Sequence, residues 1–66
     1  MTTKRMFEMK AATLGLMKRI ERENLIIEES SEVYHSLLDY MLLVHPEFTR
    51  DETDKCIYFA MDGVIS

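Results

Sequence analysis

Apolar positions along the first part of the chain recur at intervals of three and four. Met6, Met9, Thr13, Leu16, Met17, Ile20 and Ile27 fall on one side of a helix drawn from Thr3 to Glu28. The pattern predicts one long amphipathic α-helix over residues 3–28. Ser30 and Ser31 then offer N-cap oxygens, Glu32 suits a first helical turn, and Pro46 sets a stop, so a second helix is expected over 32–44. Thr49-Arg50-Asp51-Glu52 has the spacing of a capping box, in which the threonine accepts from the amide three residues on and Glu52 reaches back. A third helix is expected over 50–62, with Gly63 free to take a left-handed C-cap.

The run Cys56 to Met61, CIYFAM, is strand-like in composition, and a short apolar run is ambiguous by periodicity. Its flanks decide for a helix. A capping box precedes it, Asp62-Gly63 follows it, and a lone strand would have nothing to pair with. The fold class is therefore all-α: a three-helix bundle in a single domain spanning 1–66, completed by homodimerisation.

The expectation of a second copy comes from the distribution of apolar side chains. In the second helix Tyr34, Leu37, Leu38, Met41 and Val44 make a stripe, while Leu42 and Leu43 fall outside it. In the third, Ile57, Ala60, Met61 and Val64 are read as one side, with Cys56 and Phe59 roughly opposite. A small monomer has too few elements to cover both sides. Leu42, Leu43, Cys56, Phe59 and Met61 are therefore assigned to a subunit or partner interface, which a two-fold axis would cover most simply. Met6, Met9 and Met17 are assigned to the core.

Size points the same way. At 66 residues, with 47% hydrophobic and 30% charged content, the chain has the composition of a globular unit rather than a disordered tail. A core of this size supplies only about 3–5 kcal/mol. The single cysteine permits no internal disulfide and no Cys/His cluster has zinc spacing, so oligomerisation is the remaining support. No secretory leader or apolar span of membrane length is evident, Thr2 excludes N-myristoylation, and Val64-Ile65-Ser66 carries no prenylation cysteine; a cytoplasmic protein is expected.

Charge divides the chain. Residues 1–22 hold six cations and two carboxylates, net +4, and residues 23–66 hold two cations and ten carboxylates, net −8. On a helix over 3–28 this opposes the macrodipole, with cations at the start and Glu23 and Glu28 at the end. One account folds an antiparallel second helix back, so that Asp39, Glu47, Asp51 and Asp54 lie in the field of the basic helix. The other gives Lys4, Lys18 and Arg22 to a nucleic-acid contact, with Ala11 and Gly15 small enough to admit a phosphate backbone. A whole-chain charge of −4 weighs against it.

Catalytic and metal chemistry find little footing. Glu32 and His35 have the i, i+3 spacing of di-iron ligands, and Ser31, His35 and Asp39 step along one ridge. That ridge faces away from the apolar stripe, and there is no oxyanion loop, phosphate loop or dinucleotide fingerprint. Cys56 reads as a small buried hydrophobe. No enzyme, cofactor or metal is expected. The sequence points to a small helical regulator, inhibitor or adaptor that binds itself and another protein, its late carboxylates able to imitate a nucleic-acid surface. The alternative is a dimeric nucleic-acid-binding regulator using the basic N-terminal helix.

Overall fold

A computed structural model describes residues 2–26 and 28–65. It contains three helices, α1 (Thr3–Arg22), α2 (Ser30–Val44) and α3 (Arg50–Ile65), and no strand among the described residues. Ile27, which the periodicity assigns to the α1 stripe, lies outside the described residues.

The helix ends follow from local chemistry. Thr2 caps α1, its hydroxyl accepting from the Arg5 amide at 3.2 Å. At the other end the chain turns at Asn24, whose φ of 53° is the left-handed conformation that asparagine tolerates better than most residues. The Leu25 amide then bonds back to the Ile20 carbonyl, so α1 stops at Arg22, six residues before the expected Glu28. This removes half of the expected dipole conflict. The last turn of α1 holds Arg19 and Arg22, which favour a helix C-terminus, and Glu28 and Glu29 sit where α2 begins, which favours carboxylates.

Helix α2 begins two residues earlier than expected, with Glu29 rather than Ser30 or Ser31 at the N-cap and no side-chain capping bond there. Helix α3 opens with the expected reciprocal pair: the Glu52 amide donates to Thr49 Oγ1 at 3.1 Å, and the Thr49 amide donates to Glu52 Oε1 at 2.8 Å. Its end differs. Neither glycine has positive φ, and α3 runs through Gly63 to Ile65 instead of capping at residue 63.

The principal packing is between α1 and α3, which run side by side in the same direction. Arg5 meets Glu52 at 3.8 Å, the Cys56 thiol approaches the Met9 carbonyl at 3.6 Å, and Met17 lies against Gly63. The basic helix therefore pairs chiefly with α3 and not with a folded-back α2. Helix α2 joins them through the Tyr34 and Tyr58 rings, stacked 5.6 Å apart, and through Tyr40, beneath the Arg19 guanidinium at 4.3 Å. Leu16, Ile20, Leu37, Met41, Cys56 and Ile57 form the most buried part of the core.

Helix α3 packs against both of its neighbours. Thr53, Cys56, Ile57, Ala60 and Met61 are all buried, so Cys56 lies on the same buried side as Ile57 and not opposite to it. No helix among the described residues is long and apolar enough to cross a membrane.

Candidate interaction surfaces

Three surfaces remain to be accounted for: a groove between α1 and α3, the outer side of α2, and the basic side of α1. The groove holds about 230 Å³ and is lined by Met6, Met9, Lys10 and Thr13 of α1 and by Lys55, Cys56 and Phe59 of α3. The Met9 side chain is half-buried, the Phe59 ring is 64% exposed and Met6 is 57% exposed. Met6 thus belongs to the surface, contrary to its expected core position, while Met9 and Met17 pack against the core. Phe7 and Leu14, seven residues apart and so on one side of α1, add exposed apolar area on the outer side of that helix.

The floor of the groove is chemically quiet. Burial pushes the Cys56 thiol above its ordinary value, so it stays protonated at neutral pH, and it is a free cysteine. Of the five residues assigned to an interface, Cys56 and Met61 are in the core, because they share the i, i+3, i+4, i+7, i+8 stripe of Thr53, Ile57 and Ala60 that α3 turns inward. Phe59, Leu42 and Leu43 are on the surface.

Leu42 and Leu43 are 52% and 79% exposed and sit on the outer side of α2 with Asp39, because Leu37 and Met41 turn the opposite side inward. Glu47 follows in the connection to α3. The Glu47 carboxyl is held below its ordinary value, first by a backbone hydrogen bond and then by His45, whose Nδ1 lies 3.5 Å away. This end of α2 is apolar and firmly anionic.

Lys4, Lys18 and Arg22 are exposed on the side of α1 away from the core, together with Ala11 and Gly15. A Cβ built on Gly15 meets nothing within 4 Å, so that side is open. The other α1 arginines are engaged. Arg5 stacks on Phe48 at 5.2 Å, and Arg19 pairs with Glu23 at 3.2 Å while covering Tyr40. The ring faces stand in for acceptors at Arg5 Nη1 and Arg19 Nε, which are buried without a hydrogen bond.

A polar cluster locks α2 to α3. The Tyr34 hydroxyl donates to Asp54, and Arg50 donates to both of them, at 3.2 Å to Tyr34 and 3.3 Å to Asp54. These two partners raise the Arg50 guanidinium further above its ordinary value. At the start of α2 a hydrogen bond with Glu32, followed by its negative charge, pushes the Glu29 carboxyl up. Glu32 and His35 do not converge on further ligands, and among the described residues no group of three His, Cys, Asp or Glu side chains could hold a metal ion.

Periodicity singled out Met6, Met9 and Thr13 along α1 and set Cys56 and Phe59 aside on α3, but it did not show that the parallel pairing of α1 with α3 brings them together with Lys10 and Lys55 around one groove. Compared with known proteins, the chain matches no family model, and no curated protein or solved structure is significantly similar to it.

Proposed function

We propose that this chain is a small helical regulator or adaptor of the cytoplasm that works by binding protein surfaces, itself included, and catalyses nothing. The observation that carries this reading is the apolar area left open on a three-helix unit: Met6 and Phe59 at the groove, Phe7 and Leu14 on the outer side of α1, and Leu42 and Leu43 on α2. Single exposed apolar residues are ordinary; clusters rimmed by charge are the usual mark of an interaction site. The groove volume of about 230 Å³ is below the range of ~300–1,000 Å³ typical of small-molecule pockets and suits the tips of aliphatic side chains.

The test is affinity capture from the native host with the wild-type chain and with Phe59→Asp and Leu43→Asp. A partner held by the wild type and lost from at least one folded variant supports the reading. Retention of every captured protein by both variants refutes it.

A second reading is favoured by Lys4, Lys18 and Arg22, which stand together on the open side of α1 around Gly15. In that reading the helix lies along a nucleic-acid backbone. It requires that duplex binding weaken steeply with added salt and disappear in the Lys18→Glu, Arg22→Glu double variant. Binding indifferent to both would exclude it. The whole-chain charge of −4 places it second.

A further inference from the structure

The groove and the outer side of α2 differ in sign. The groove has an apolar floor at Met9 and Cys56, lips at Met6 and Phe59, and Lys10 and Lys55 in its walls. The outer side of α2 offers Leu42 and Leu43 around Asp39, with Glu32 one turn or two before and Glu47 just beyond. We infer that the groove is the docking site for the α2 outer side of a second copy of this chain, so that copies associate head to tail; this rests on the protein-binding reading above.

Charge selects this arrangement over a two-fold dimer. A two-fold contact sets each patch against itself. Groove on groove would bring Lys10 and Lys55 against the same two lysines, and α2 on α2 would bring Asp39 and its neighbouring carboxylates together. Like charges across an interface oppose association, whereas the mixed pairing gives each lysine a carboxylate. The volume agrees, since about 230 Å³ gives room for leucine tips and not for a whole helix.

Position then sets the form of the assembly. Tyr58 faces Tyr34 of α2, and Phe59 stands one residue on, roughly 100° further round α3, toward α1. The groove and the α2 outer side therefore occupy different sides of the molecule. Each docked copy leaves one groove and one α2 surface open, and association continues into a ring or an open chain.

Complementation tests this directly. Phe59→Asp disables the groove and Leu43→Asp disables α2; each variant alone is expected to sediment as a monomer with wild-type helical circular dichroism. Mixed in equal amounts, they should form one 1:1 dimer that grows no further, because only one intact groove and one intact α2 surface meet productively. The wild type, sedimented from ~10 μM to ~1 mM to allow for the weakness of interfaces below ~1,200 Å², should grow beyond a dimer.

If either variant fails to fold, exposed charges carry the same test. Lys10→Glu with Lys55→Glu should abolish association, and adding Glu32→Lys, Asp39→Lys and Glu47→Lys should restore it. A wild type that stays monomeric, a dimer that persists in either single variant, or a mixture that remains monomeric would each overturn the head-to-tail contact. A monomeric wild type would also remove self-association from the protein-binding reading; binding to another protein falls only on the capture experiment.

Discussion

Ile57 and Phe59 stand two residues apart on α3, yet removing their side chains should have very different consequences. Ile57 is fully buried between the helices, whereas the Phe59 ring is 64% exposed. Truncating a fully buried isoleucine to alanine costs about 2–5 kcal/mol, the lost transfer energy plus the cavity left behind. Fully burying a phenylalanine contributes about 1.5–3 kcal/mol, so a ring about one-third buried contributes about 0.5–1 kcal/mol. A chain of this size has only about 3–5 kcal/mol in total. Phe59→Ala should therefore keep a cooperative urea transition, its midpoint lowered by no more than about 1 M at an m-value of about 1 kcal/mol/M. Ile57→Ala should lose most or all of its folded baseline. Helical circular dichroism followed through urea at low protein concentration measures both. Equal losses would mean that the ring is buried within one chain, and the argument for open apolar surface would fail. Raising the protein concentration adds a second readout: self-association stabilises the folded wild type by mass action, and Phe59→Ala should remove that dependence.

Two further predictions concern single sites. Gly15→Ala should raise stability by about 0.5–1 kcal/mol in a thermal or urea melt, since Gly15 is mid-helix with open space at its Cβ; a loss would show that the backbone there is needed in another conformation. The Cys56 thiol should react with a disulfide reagent at pH 8 only as fast as the chain opens. Because burial raises its folded value, the unfolded chain ionises first, so the thiol's contribution is intact below its ordinary value and is lost as pH rises through it. Cys56→Ser should weaken that alkaline loss; an unchanged alkaline limb would assign it to other groups.

The elements were legible where chemistry is local and reciprocal. Thr49 and Glu52 satisfy each other's amides within one turn, so the start of α3 could be placed from the spelling alone. The end of α1 could not. Leu25 and Ile26 extend the apolar composition past the helix, and the left-handed turn falls on Asn24, a residue that permits that conformation without demanding it as glycine would. Gly63 misled in the opposite sense, since the Asp-Gly pair accepts a helical backbone when Met17 of α1 packs against it. The burial of Cys56 and Met61 was legible in the spacing: Thr53, Cys56, Ile57, Ala60 and Met61 fall at i, i+3, i+4, i+7 and i+8, one core-facing stripe, and setting Cys56 opposite Ile57 overlooks that the two are only about 100° apart round the helix. Phe59 lies outside the buried stripe of α3, and Leu42 and Leu43 lie outside that of α2, which is why all three are on the surface.

The parallel pairing of α1 with α3 also governs when the chain can fold. The contact between Cys56 and Met9 closes a loop of 47 residues, so the first helix must wait for the last before its main partner exists. During synthesis α1 and α2 emerge with their apolar sides uncovered, and neither forms a stable pair with the other. A fragment ending at Val44 should be largely unstructured, and the nascent chain should stay open to chaperones and proteases until α3 is free to close it.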